Sequence, residues 1–539
     1  MRGRILKAGQ DEKISAWVFF ADKGIEPSRL VDELLKAEEN LSPGARFRRA
    51  KMGAPTLVNE SDLPVSGDYI YSVAATGAIV RVRSKWVNCV SVSATPGQLN
   101  EIADLPFVKE IRLVSTRTIS PDKLVQTSPA DYGSSWGQLN MIQIPALHDL
   151  GFHGEGITIG ILDTGFNLNH EALDSVDVVA KWDFINSDSI VVNESGQDAT
   201  TQHNHGTYIL GEVGGVSPNK LMGGAYGARF VLAKTEIVPV EIPAEEDLWV
   251  RGIEWAESIG VDVATSSLGY IDWYTYEDMD GNTAVTTRAA DAAVARGVVI
   301  ANAMGNGGGT TYPYMIAPAD GDSVISAGAV DSNQLIASFS SRGPTYDGRI
   351  KPDVCAQGVG VYTVSPYDSI GYTYISGTSA STPLVACACA LLLQAHPSWT
   401  PVQVREALRA TASKSSAPDT AYGWGVVRAY DAYLYTPVSV PVGTFAEMPG
   451  GGLSISPNPS HGPFRIYYDG VKSEGGKIRI YDVRGNLVRA LLEGSDGARL
   501  PFAFWDGKDS QGKPVSSGVY LITLQSRSGT LNRKAVVIR

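Results

Sequence analysis

Five near-continuous apolar runs constrain this chain more than any other feature: GITIGILDT (156–164), ARFVLAKTEI (228–237), VDVATSSLG (261–269), GVVIANAMG (297–305) and SVISAGAV (323–330). A strand that is apolar at successive positions has no face to offer to water, so both faces must be covered, as in a parallel sheet flanked by helices. Helical patterns lie between the runs, from Glu245 to Ser258 and from Thr286 to Arg296, each long enough for a crossover. The fold class this predicts is α/β, with three α/β/α layers and a mainly parallel sheet. Such sheets bind ligands beyond the carboxyl ends of their strands, so side chains just after the runs are the ones to inspect.

With 539 residues the chain exceeds a single core, and its pattern changes twice. Residues 13–115 read as an α+β module: a strand at 17–24, a helix at 28–40, a strand at 84–96, a short helix at 97–105 and a strand at 108–114. After Tyr435 comes a Pro/Gly-rich stretch, then short alternating strands (464–468, 477–483, 499–505, 519–525, 534–539) with Gly-containing turns, the pattern of a small all-β sandwich. The expected organisation is an N-terminal α+β domain (1–120), a linker (121–135), the α/β domain (136–435), a second linker (436–452) and the sandwich (453–539). Asp506 and Asp509 in WDGKDSQGK read as hairpin-turn residues.

A net charge of −12 argues against a nucleic-acid partner, which demands a cationic surface. The charge is uneven: residues 1–120 sum to +3 and the rest to −15, which favours docking of the first module on the remainder. The run Arg46, Arg48, Arg49, Lys51 reads as a solvated face. Leu384 to Leu393 is too short to span a bilayer and reads as a buried core helix. The opening MRGRILKAGQ is basic but lacks an apolar signal-peptide stretch. Cys89, Cys355, Cys387 and Cys389 form no C-x-x-C pair and receive no chemistry.

Three segments carry reactive side chains. Asp163 ends an apolar run in D-T-G, His205 opens a helical pattern in H-G-T, and Ser379 lies in G-T-S-A-S-T-P at the start of another helix. A serine hydroxyl is a poor nucleophile until a base takes its proton, and the base must be oriented by a third group; His and Asp supply those roles. In the order Asp, His, Ser, with NAMGNGGG, SSLG (266–269), ASFSSRGP (337–344) and KPDV (351–354), the sequence over roughly 136–435 resembles the subtilisin-like serine proteases, or subtilases. The resemblance implies a catalytic triad of Asp163, His205 and Ser379, and an oxyanion-hole amide at Asn306. It also implies substrate-binding positions at Ser267, Leu268, Gly269, Met304 and Gly305, and a protein or peptide substrate. Ala380, Ser381, Leu384 and Tyr208 depart from the best-known branch without removing a catalytic group.

Competing readings stand beside this one. Asp163 as half of an aspartic dyad would need Asp419, whose PDTAYG context lacks the required glycine; His203 reads as a bystander. SGTSAS also resembles the sedolisins, acid-active relatives, but these carry Glu and Asp where this chain has His205 and Asn306. A catalytically silent scaffold acting as an extracellular binding module is the alternative from another class. The insertion YIDWYTYEDMDGNTAV (270–285) holds Asp278, Asp280 and Asn282 in a pattern like the start of a calcium loop, without the bidentate Glu of an EF-hand; an acidic turn is the favoured reading, and no cofactor is required. Trp273, Tyr274 and Tyr276 either line the cleft or pack under the loop. The N-terminal module resembles inhibitor-type subtilase propeptides, which implies self-cleavage between Ser115 and Ser135. The C-terminal module resembles Ig-like domains of hook-capping proteins and of type IX secretion substrates, which implies secretion machinery as a partner and a secreted or cell-surface protein.

Overall fold

The computed structural model describes residues 13–26, 28–52, 56–113, 131–238 and 244–436. In the C-terminal part it describes 453–456, 464–468, 477–482, 487–493, 502–505, 507–511, 513–516, 518–526 and 529–537. The chain divides into two compact units, Met1–Val438 and Ser439–Arg539.

In the first unit, β1 (Ile14–Phe20), β2 (Ile79–Ser84), β3 (Cys89–Ala94) and β4 (Val108–Leu113) form an antiparallel sheet in the order β2-β3-β1-β4. The stretch 84–96, expected as one strand, is broken: residues 85–88 turn the chain, with Asn88 in the left-handed region at φ 54°, which Asn tolerates better than most residues. Side chains alternate across β1. Ala16, Val18 and Phe20 pack with Ile70 and Val73 of α3 (Gly67–Ala75) and Leu99 and Ile102 of α4 (Pro96–Ala103); α1 (Leu30–Glu39) and α2 (Pro43–Lys51) precede these. Trp17 and Phe19 point the other way, into a core shared with the larger domain.

The basic run on α2 corrects the expectation of a solvated face. Arg48 and Arg49 are buried, and both donate to Glu257, at 2.7 Å and 2.9 Å, while Arg49 also pairs with Asp62. Their partner lies some two hundred residues further along the chain, so no local pattern could reveal it. Truncating one member of such a buried pair costs about 3–5 kcal/mol, since the other charge is stranded.

The larger domain is built on β5 (Thr158–Asp163), β6 (Asp177–Asp183), β7 (Arg229–Lys234), β8 (Val263–Ser266), β9 (Val299–Ala303), β10 (Ile325–Val330) and β11 (Val354–Gln357). They lie in the order β11-β10-β9-β8-β5-β7-β6, every neighbouring pair parallel. The five apolar runs are the five inner strands. The edge strand β6 alternates in exposure, so it does not show as an apolar run. Helices cover both faces: α5 (Asn204–Gly214), α8 (Thr378–Ala395) and α9 (Pro401–Thr411) on one, α6 (Ala244–Ile259) and α7 (Val285–Ala295) on the other. Period-two alternation sorts the strands between them, with Ile159, Ile161, Phe230, Leu232 and Val263 facing α8 and Leu162, Val231, Ala233 and Ala264 facing α6. The run Leu384 to Leu393 lies within α8, which is 18 residues long and apolar enough to cross a membrane by length and composition, but 83% of it is buried in the fold. All four cysteines are buried free thiols.

In the second unit, β12 (Leu453–Ser456), β13 (Phe464–Tyr468) and β16 (Phe502–Trp505) form one antiparallel sheet in the order β12-β13-β16. A second, β15-β14-β17-β18, contains β14 (Lys477–Tyr481), β15 (Leu487–Glu493), β17 (Gly518–Ser526) and β18 (Gly529–Val537). Phe464, Ile466 and Trp505 of the first meet Ile478, Ile480, Ile522 and Ala535 of the second in a common core. Asp509 caps its turn, accepting from the Gln511 and Lys513 N–H groups; Asp506 lies outside the described residues.

Of the buried polar groups that lack a partner, one is a whole carboxyl. Glu212 on α5 is 1% exposed, and neither carboxyl oxygen has a partner among the described residues. Burial raises its pKa well above 4.5, so the carboxyl is held as the neutral acid. The folded state therefore binds this proton more tightly than the unfolded one, and its stability falls as pH climbs from 4.5 toward the raised value. Glu212→Gln should remove that slope. Chemical unfolding of the two proteins at pH 5 and pH 8 should show the variant gaining relative to the parent by up to about 1.4 kcal/mol per pH unit, and parallel pH profiles would contradict the assignment.

Candidate active site

Asp163 is the last residue of β5 and is fully buried. Its Oδ1 accepts the Thr164 N–H at 2.7 Å and the ring Nδ1 of His205 at 2.8 Å. The contact requires α5 to start hard against the end of β5. A Cβ on Gly206 would lie 2.2 Å from the Gly165 carbonyl oxygen, so glycine after the histidine is what permits the approach. With Nδ1 donating to the carboxylate, Nε2 is left as the accepting nitrogen, and the side chain is 33% exposed, open to a substrate. Burial pushes the imidazole pKa down, but the charge and hydrogen bond of Asp163 outweigh it and leave the pKa above 6.5.

Ser379 occupies the first turn of α8, where the backbone N–H groups have no intrahelical acceptor. Four residues on, Pro383 has no N–H to donate to the Ser379 carbonyl. That carbonyl is taken instead by Ser267 Oγ at 2.8 Å, which ties the Ser379 backbone to the end of β8. Asn306, just past β9, is exposed; its Oδ1 accepts from the Thr378 N–H at 2.9 Å and from Thr378 Oγ1 at 3.0 Å, which turns Nδ2 outward. A Cβ on Gly377 would lie 2.7 Å from Ser379 Oγ and 3.4 Å from Asn306 Nδ2, so hydroxyl and amide border the same small space. Among the described residues no hydrogen bond joins Ser379 Oγ to His205, a contact that is commonly loose until substrate binds.

The remaining sequence candidates divide. Ser267 and Gly269 are partly exposed beside Ser379. Leu268 is buried with its carbonyl bonded to Asn302 Nδ2, and Met304 is buried in an apolar cluster with Met279 and Met315. Gly305 leaves β9 at φ +97° and packs against Ile316, a residue that sequence reasoning did not single out. Trp273 and Tyr274 pack under the loop, both donating to the buried Glu246, while Tyr276 stacks on Tyr314 at 3.9 Å. His203 exchanges hydrogen bonds with Asn193, and Asp419 accepts the Ala421 and Tyr422 N–H groups in a turn.

The loop 278–282 is a poor fit to a metal. Asp278 Oδ2 accepts from Thr275, and both oxygens of Asp280 are engaged by Asn282 and Thr283. Asp183, Asp188 and Glu194 bring their carboxylate oxygens within 4.8 Å of one another, but the buried Lys234 ammonium already pairs with Asp183 at 2.6 Å and with Asp198 at 2.7 Å.

Comparison with known proteins assigns the family. The sequence profile of the subtilase family matches residues 154–425, half of the chain. This chain belongs to the subtilase family. A Bacteroidota peptidase S8 propeptide domain matches residues 15–129 and a secretion-system C-terminal sorting domain matches residues 454–538, flanking the subtilase domain on either side. Subtilisin E of Bacillus subtilis (strain 168) is 30% identical over 346 residues, covering 63% of this chain and 80% of the relative. Subtilisin DY of Bacillus licheniformis is 34% identical over 297 residues, covering 53% and 94%. The subtilase domain is a serine peptidase domain, and its propeptide domain marks a chain made as a proenzyme.

Thr378 Oγ1 donates to Asn306 Oδ1 at 3.0 Å and accepts the Gly305 N–H at 3.1 Å, so it positions both neighbours. Thr378→Val removes the hydroxyl that makes these two bonds but keeps the N–H, so kcat on a peptide substrate should fall by at least about tenfold, the value of one hydrogen bond. Thr378→Ser should restore it. Equal kcat in all three proteins would remove Thr378 from the positioning role.

Proposed function

We propose that this subtilase is a secreted or cell-surface endopeptidase in which Asp163, His205 and Ser379 form the catalytic triad and Asn306 with the Ser379 N–H forms the oxyanion hole. The observation that carries the reading is the 2.8 Å contact between His205 and the buried Asp163, which leaves Nε2 free to act as a base. As Ser379 Oγ bonds to the scissile carbonyl carbon, its proton passes to Nε2. The carbonyl oxygen becomes an oxyanion and accepts from the Ser379 N–H and from Asn306 Nδ2. The C–N bond then breaks and the leaving amine takes the proton from His205, giving an acyl-enzyme. Water, deprotonated by the same imidazole, attacks the ester, and Ser379 regains its proton on release of the acid. Asp163 orients the ring and stabilises the imidazolium throughout.

The other modules fit a secreted zymogen. The N-terminal domain is held on the larger one through Arg48, Arg49 and Glu257, as an intramolecular inhibitor should be until it is cut. The expected cleavage region between Ser115 and Ser135 lies mostly outside the described residues. The sorting domain supports export. A fluorophosphonate probe applied after the N-terminal domain has been cut separates an active enzyme from a silent scaffold: labelling of the parent and none of Ser379→Ala is expected, and an unlabelled cut parent would return the scaffold reading.

Two kinetic outcomes follow. Removing one oxyanion donor in subtilisin costs about 10²–10³-fold in kcat, so Asn306→Ala should lose that much, and an unchanged kcat would refute the assignment. Because the reaction needs the neutral imidazole, kcat/KM should rise with pH through the His205 pKa, with its half-maximal point above 6.5. An acid optimum near pH 4 would instead favour the sedolisin-like reading.

A further inference from the structure

The ends of β8 and β9 are neighbours in the sheet, with Ser266 opposite Asn302, and beyond them Ser267–Gly269 and Met304–Asn306 run on either side of a cleft. The oxyanion donors and Ser379 Oγ fix where the scissile carbonyl must lie. A carbonyl held there sets the residue on its acyl side against these two segments, one tied to the Ser379 carbonyl through Ser267 Oγ and the other carrying Asn306. Each wall contains a glycine, Gly269 on one side and Gly305 on the other, which ordinarily leaves room for a bulky group. Here the room is taken: a Cβ on Gly269 would lie 2.5 Å from Ile316 Cδ1, and one on Gly305 would lie 3.1 Å from the same atom.

Ile316 is held in that place. Its N–H donates to the Met304 carbonyl at 3.3 Å, and the next residue, Ala317, exchanges backbone hydrogen bonds with Tyr270 at 2.8 Å and 3.0 Å. This pins the segment across both strand ends. A β-branched side chain has few alternative rotamers, so it cannot readily swing clear of an incoming group. It is nonetheless only partly buried, so it faces the cleft rather than the core.

We propose that Ile316 sets the specificity of the enzyme by filling the floor of this cleft, so that cleavage follows small residues such as Ala and is disfavoured after aromatic ones. The proposal rests on the serine-endopeptidase reading, and the experiment keeps the two apart. Active sites are first counted with a fluorophosphonate after the N-terminal domain has been cut; a cut chain that is not labelled overturns the peptidase reading and the specificity with it. On labelled enzyme, kcat/KM per titrated site is then measured for two peptide p-nitroanilides identical except for Ala or Phe before the scissile bond. A pocket that lacks room for a few carbons discriminates by at least about tenfold, so Ala should lead Phe by that margin or more. Ile316→Gly should raise the Phe-to-Ala ratio by at least about tenfold, with Ile316→Ala in between. Parent enzyme that prefers Phe, or a ratio unmoved in labelled variants, would overturn the proposal; the parent ratio alone tests it should a variant not fold.

Discussion

The site depends on a buried carboxylate whose partner arrives from another element at hydrogen-bond distance. Asp163 is sealed at the end of a central strand, where an unpaired charge would be costly. The His205 ring and the Thr164 N–H both satisfy Oδ1, yet Oδ2 has no partner among the described residues. Such residual polarity is expected where a group must stabilise a charge that appears only during reaction. The approach is set by absence of bulk: with any side chain at position 206, α5 would have to retreat from Gly165 and the ring would leave the carboxylate.

The second structural tie follows from a missing donor. A proline inside α8 would ordinarily be a defect costing about 3 kcal/mol or more. Here Ser267 fills the vacancy, so the hydrogen bond that the helix loses reappears as a link between Ser379 and the sheet. Asn306 is fixed the same way, by Thr378 in the turn that carries Ser379. Short polar contacts thus join the end of β5 to the start of α5, and the ends of β8 and β9 to the start of α8; in the proposed oxyanion hole, donors set in this manner would need no reorganisation.

Much of this was legible in the chain itself because the relevant signals are local. Buried parallel strands must be apolar throughout, which revealed the five inner strands, and D-T-G, H-G-T and G-T-S-x-x-x-P each sit at a strand end or a helix start. What was not legible depends on distant partners. Arg48 and Arg49 look like any basic run until Glu257 is brought to them by α6. The hairpin at 85–88 was hidden in a stretch whose residues on both sides favour strand. Leu268 and Met304 share a motif with the cleft walls, yet their side chains are turned inward; a motif fixes backbone position, while burial decides direction.

Ile316 shows the same limit from the other side. It belongs to none of the catalytic motifs, and it reaches the cleft because the segment carrying it crosses two strand ends through backbone hydrogen bonds that any side chain would allow. The catalytic groups are held by side-chain chemistry that tolerates little exchange, whereas the residue beneath the glycines is held by its main chain alone. On the proposed reading the fold separates the two properties physically: reactivity would lie in contacts among Asp163, His205, Thr378 and Asn306, and selectivity in one replaceable side chain. A subtilase built in this way can change what it cuts without disturbing how it cuts.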